Sequence, residues 1–86
     1  MEELIKELNL PYEGEMKGDE YVVNIPDSDA YSEVFNIVSL NDDVEAEDDS
    51  TANDAEARFK FFTDDFEIKL DADFMNDIYR LTIGRR

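Results

Sequence analysis

Between Arg58 and Leu70 the chain carries the pattern that most restricts its fold. Arg58-Phe59-Lys60-Phe61-Phe62 alternates between apolar and charged side chains, Thr63-Asp64-Asp65 supplies turn residues, and Phe66-Glu67-Ile68-Lys69-Leu70 alternates without a break. Alternation of period two puts Phe66, Ile68 and Leu70 on one face of a strand and the charged residues on the other. Two such segments around a short polar turn predict a β-hairpin with one buried face.

The flanking sequence is read around this hairpin. Leu4, Ile5 and Leu8 share a helical face, with Glu2 and Glu3 in a first turn that favours acids and Pro11 as a stop, so residues 2–9 are expected to be helical. Lys17-Gly18-Asp19 is a turn signal. Glu20-Tyr21-Val22-Val23-Asn24-Ile25 is rich in strand formers and ends at Pro26, which predicts a strand, the second arm of a hairpin. Residues 27–30 suit a turn or a helix cap. Residues 31–40 fit a helix through Tyr31, Val34, Phe35 and Val38, but their β-branched and aromatic content favours a strand. After Asp71 as a cap, Phe74, Ile78 and Leu81 follow helical spacing, with Asp73 early and Arg80, Arg85 and Arg86 late, as the helix dipole prefers. The expectation is a single α+β domain over 1–86: an antiparallel meander of three to five strands flanked by a short N-terminal and a C-terminal helix.

Charge is the second constraint. The 86 residues hold 24 Asp plus Glu against 8 Lys plus Arg and no His, a formal charge of −16. Solubility of a small domain needs a magnitude of only about 2–8, and self-repulsion beyond that opposes compaction. With 42% hydrophobic and 12% aromatic residues, a packed core is still expected. The densest acid run is residues 41–57, with Asp42, Asp43, Glu45, Glu47, Asp48, Asp49, Asp54 and Glu56 and no base. It predicts a solvated, mobile loop at the tip of a long hairpin.

Several functions are disfavoured by residue type. Without His or Cys, the commonest general base, the best nucleophile, disulfides and thiolate metal sites are missing. Gly14, Gly18 and Gly84 are isolated, so there is no Gly-rich phosphate loop. No serine lies in a nucleophile motif, and carboxylate pairs arise by chance at this acid density. An EF-hand frame from Asp43 has Asp48 where Gly is required, and one from Asp27 has Tyr31 at a ligand position. No enzyme activity, cofactor or dedicated metal site is expected. The sign of the charge disfavours direct contact with nucleic acid or an anionic membrane. The start, Met1-Glu2-Glu3-Leu4, lacks a secretory signal pattern, and no apolar run reaches membrane-spanning length. A cytoplasmic protein is expected, with monomer and dimer both open.

What remains is the negative surface. Carboxylates two apart on a strand lie about 6.6–6.8 Å apart, on the scale of phosphates that rise about 3.4 Å per residue along a nucleic-acid strand. The residues expected to contact a basic partner are Asp42, Asp43, Glu45, Glu47, Asp48, Asp49, Asp64, Asp65 and Glu67. The competing explanation is that any acidic soluble protein carries acids on its solvent faces, or belongs to high salt or to a calcium-dependent state.

Asp71-Ala72-Asp73-Phe74-Met75-Asn76-Asp77-Ile78-Tyr79-Arg80-Leu81-Thr82-Ile83, with the acidic N-terminal helix carrying Leu4-Ile5, resembles the small phage-borne anti-CRISPR inhibitors of the type II RNA-guided nuclease. The likeness covers about a fifth of the chain, together with its size, acidity and expected element order. It implies a DNA mimic acting in the bacterial host cytoplasm, whose loop acids occupy a nuclease's site for the protospacer-adjacent motif. The 42–56 segment has no counterpart there. A restriction enzyme, a uracil-DNA glycosylase or a nucleoid protein is an alternative target, and a non-mimic acidic interaction module an alternative class.

Overall fold

A computed structural model describes residues 2–46 and 51–86. The element order is α1 (Glu2–Leu8), β1 (Glu15–Lys17), β2 (Glu20–Ile25), α2 (Ser28–Ser39), β3 (Glu45–Ala46), β4 (Thr51–Ala52), β5 (Glu56–Phe62), β6 (Phe66–Asp73) and β7 (Ile78–Arg85). The fold is α+β, and its sheet of seven strands exceeds the expected three to five. The order across the sheet is β1-β2-β7-β6-β5-β3, with β4 also paired to β5, and every pairing is antiparallel.

The hairpin from 58 to 70 forms where alternation placed it. β5 and β6 pair from Glu56 opposite Asp73 to Phe62 opposite Glu67. Thr63 closes the turn: its hydroxyl accepts from the Phe66 N–H at 3.1 Å, and its own N–H donates to the Phe66 carbonyl at 2.9 Å. The expected helix over 2–9 is also present, with Leu4 and Leu8 buried. Asn9 follows it in the left-handed region at φ 48, where its short polar side chain tolerates the conformation a helix terminus requires. Gly18, at φ 63, joins β1 to β2.

Two elements differ from expectation. Residues 31–40, expected as a strand, belong instead to a helix over Ser28–Ser39 that Leu40 caps. Asp27 is its N-cap, accepting from the Ala30 N–H at 2.8 Å, and Ala30, Tyr31, Val34 and Val38 bury one face. The cap and the period of the buried positions override the β-branched content, because intrinsic propensity is small beside the burial of a helix face. The C-terminal helix is absent: residues 78–85 are β7. Asp73 folds the chain back, its carboxylate accepting from the Met75 and Asn76 N–H groups and from Asn76 Nδ2, while Asp77 takes φ 53. Asn and Asp stabilise such turns. Tyr79, Leu81 and Ile83 then alternate inward, all buried. Phe74, whose spacing suggested a helix, lies in the turn and is exposed.

The acidic segment also differs from a plain loop. Glu45–Ala46 and Thr51–Ala52 both pair with β5, and Glu56 and Ala57 belong to β5 itself. With residues 28–39 helical, the expected hairpin between residues 31–40 and the 58–62 strand does not form. Glu45–Ala46 and Thr51–Ala52 line the β5 edge instead, and residues 53–55 turn β4 into β5, the Asn53 N–H donating to the Glu56 carbonyl at 2.9 Å. Short edge strands leave little template for pairing with another chain.

Both helices cover one face of the sheet. Val34 and Val38 of α2 and Leu4 and Leu8 of α1 join Val23, Ile68, Leu70, Leu81 and Ile83 in one core. Phe35 packs edge-on against Phe59 and Phe61, with centroids at 4.8 and 5.7 Å. The Tyr31 hydroxyl donates to the Leu70 carbonyl at 3.1 Å inside the core, and burial pushes its pKa up to about 12. Among the described residues, no element covers the other face of the sheet. Leu81→Ala is expected to cost about 2–5 kcal/mol and Asp27→Ala about 1 kcal/mol, read from the midpoint of urea unfolding at constant slope. An Asp27→Ala effect near zero would count against the capped α2.

Candidate functional site

The register fixes which charges meet. On the uncovered sheet face, Glu45, Phe62, Glu67, Gly84, Glu20 and Lys17 form one row across the strands. Lys60, Lys69, Thr82, Val22 and Glu15 form the next, and Arg58, Asp71, Arg80 and Asn24 the one after. Lys17, Arg58, Lys60, Lys69 and Arg80, five of the eight bases of the chain, therefore lie on this one face.

The expectation of a phosphate-like carboxylate row along the sheet fails for this reason. Outward from β6 stand Glu67, Lys69, Asp71 and Asp73, and Lys60 lies beside Lys69. Glu67 itself sits 3.7 Å from the Lys60 ammonium. Arg58 similarly approaches Glu56, at 3.4 Å. Such exposed pairs stabilise weakly, by about 0–1 kcal/mol, but they cancel local field.

The negative charge gathers instead at one end of the sheet, towards the helices. Glu2, Glu3 and Glu7 of α1, Asp43 of the turn before β3, and Asp64 and Asp65 of the β5–β6 turn line an open groove of about 740 Å³ with Leu4, Thr63 and Phe66. None of the lining residues is a base. The groove is assembled by packing: Leu4 and Leu8 seat α1 against the core, and the neighbouring Val44 packs on the same core. Asn41 shapes the loop, its side-chain oxygen accepting from the Asp43 N–H at 2.9 Å.

Crowding is visible in one carboxyl group. A hydrogen bond with the Asp43 side chain raises the pKa of Glu7 above its ordinary value, helped by desolvation and by the Asp43 charge, while a hydrogen bond with Asn41 opposes the shift. Repulsion between the two carboxylates thus disfavours the doubly ionised state.

An adjoining small depression brings together Asp42, Asp43, Glu45 and Asp64 with Phe62, Thr63 and Arg86. Arg86 fixes the turn that holds Asp64 and Asp65. Its guanidinium lies 4.6 Å from the Phe62 ring centroid and donates to the Thr63 carbonyl at 3.1 Å, and its N–H donates to the Asp65 carbonyl at 3.1 Å.

Of the residues expected from sequence, Asp42, Asp43, Glu45, Asp64 and Asp65 come together at this end, Glu45 from the edge of the uncovered face, and Glu67 lies two strands further along the same row, beyond Phe62. Glu47, Asp48 and Asp49 lie outside the described residues. Glu2 and Glu3 register in sequence only as helix-dipole partners, and Glu7 carries no signal of its own. The spacing of the three on one helix was the available clue, but the groove appears only once α1 docks. Among the described residues no group of three or more Asp or Glu side chains is arranged to hold a metal ion, and no helix is long and apolar enough to cross a membrane. Comparison with protein-family models, curated proteins and solved structures finds no match.

Glu7 binds more protons in the folded than in the unfolded chain near its titration. Its contribution to stability therefore falls as pH rises from the ordinary carboxylate value through the raised one. Carboxyl-detected NMR titration is expected to show Glu7 titrating above the ordinary glutamate value. Asp43→Asn should lower it towards that value; an unchanged Glu7 titration in that variant would separate the two groups.

Proposed function

We propose that this chain is a DNA mimic that occupies the DNA-binding surface of a basic host protein and blocks it without catalysis. The observation that carries the proposal is the base-free groove, in which six carboxylates from three separate chain segments face one space. Glu3 and Glu7 lie four residues apart on α1, so they are about 6 Å apart along the axis, close to two of the roughly 3.4 Å steps of a nucleic-acid strand. Helix and turn acids thereby take over the role expected of the sheet row. Lys and Arg side chains that hold phosphates accept such carboxylates and release the same counterions.

The target named by the resemblance is the type II CRISPR nuclease, in the bacterial cytoplasm. The support for that target is the 71–83 residue likeness together with size and acidity. The element order no longer contributes, because 78–85 is a strand. A restriction enzyme, a uracil-DNA glycosylase and a nucleoid protein fit the same groove chemistry.

The test is a pull-down from host lysate at two salt concentrations, followed by competition with duplex DNA. Binding is expected to be 1:1 per groove, to weaken steeply with salt and to exclude DNA. Reversing Glu3, Glu7 or Asp64 to Lys should each weaken it about fivefold or more, the scale of one lost charge pair of about 1 kcal/mol. A partner that keeps its full DNA affinity when saturated with this chain would overturn the proposal.

A further inference from the structure

The uncovered sheet face holds two like-charge pairs set directly across neighbouring strands: Lys60 beside Lys69, and Glu56 beside Asp73. Like charges in that position repel within the chain. They flank a row of alternating sign, Arg58–Asp71–Arg80. The lysine pair therefore lies one step along the strands on one side of this row, and the acid pair one step on the other.

This arrangement is self-complementary. A twofold axis running across the strands along the Arg58–Asp71–Arg80 row exchanges the two flanking rows. It sets Lys60 against Glu56 of a second copy and Lys69 against its Asp73, and each contact occurs twice, as an isologous interface requires. On the axis Arg58, Asp71 and Arg80 each face their own counterpart, and a lateral reach of one strand, about 4.8 Å, turns the long Arg58 and Arg80 side chains from each other to Asp71 of the other copy. Ile78, half exposed on this face, then packs opposite Thr82.

We propose that the chain forms a face-to-face dimer through this uncovered face. A second copy is the occupant favoured by charge, because this face holds five of the eight bases. At most other approaches, two chains of charge −16 would press acids against acids. Size agrees as well. Strands of seven and eight residues, about 26 Å long, in a sheet about 24 Å across present on the order of 600 Å² before side-chain relief, against about 800 Å² per partner in a standard interface. The dimer leaves the helix-side carboxylate groove of each copy free, so it does not depend on what that groove binds.

Sedimentation equilibrium of the full chain from micromolar to millimolar concentration is expected to show a monomer–dimer equilibrium. Lys60→Glu turns the contact between positions 60 and 56 of the two copies into acid against acid, and Glu56→Lys turns it into base against base. Each variant alone should weaken the dimer about tenfold or more. Mixed in equal amounts, the two should form a heterodimer, because both contacts then join opposite charges. Recovery in the mixture also shows that the variants are folded, and circular dichroism of each checks this separately. The milder Lys69→Gln should weaken the homodimer without reversing a charge. A wild-type chain that stays monomeric throughout, or a mixture no better associated than either variant, overturns the proposal. So does a monomer whose face instead binds a poly-glutamate peptide in a Lys60-dependent way, since the occupant is then an anionic partner.

Discussion

The β6–β7 ladder is the pairing on which the rest of the molecule depends. It runs from Phe66 opposite Arg85 to Asp73 opposite Ile78, and its centre sets Ile68 against Ile83 and Leu70 against Leu81, all four at 0% exposure. β7 also carries β2 through Val23 opposite Leu81, and β6 carries β5. Both helices lie on the apolar layer these strands present, and the core hydrogen bond from Tyr31 ends on the Leu70 carbonyl. Fully buried aliphatic side chains each contribute about 1.5–3 kcal/mol of transfer free energy. That concentration on one pair of strands offsets the repulsion of a chain with this much net charge.

What was legible in the sequence follows from the range of each signal. The 58–70 hairpin could be read because alternation and turn lie within thirteen consecutive positions and need nothing from elsewhere. Residues 31–40 carry two signals, because Tyr31, Val34, Phe35 and Val38 satisfy helical spacing while Ile37 and the valines argue for a strand; the Asp27 cap and the burial of Phe35 against Phe59 and Phe61 decide for the helix. The C-terminal segment failed in the opposite direction. Phe74, Ile78 and Leu81 match a helical period by accident of the turn between them, whereas Tyr79, Leu81 and Ile83 carry the true period of two.

The charge distribution was the least legible feature, because it depends on register. In sequence, the bases of 58–69 look like interspersed neutralising charges, and the acids of 42–49 look like the focus of the negative field. Folding separates them differently. Cross-strand pairing collects Arg58, Lys60, Lys69 and Arg80 on one surface, and docking of α1 brings Glu2, Glu3 and Glu7 to Asp43, Asp64 and Asp65. Neither gathering is visible at a sequence separation of a few residues.

This separation gives the domain two surfaces of different electrostatic character. The groove between α1 and the β5–β6 turn is lined by carboxylates and by no base, and an unscreened field of that kind reaches outward and favours encounter with cations. The sheet face interleaves both signs at strand spacing, so its field largely cancels at a distance and acts only in contact. A surface of the first kind accelerates encounter and weakens with salt, whereas one of the second kind selects by register. Spreading the eight bases evenly would have lowered self-repulsion everywhere but blurred both surfaces. Placing five of them on the face opposite the helices keeps the carboxylate groove undiluted, and leaves the sheet face as the region where another protein surface can approach at the lowest electrostatic cost.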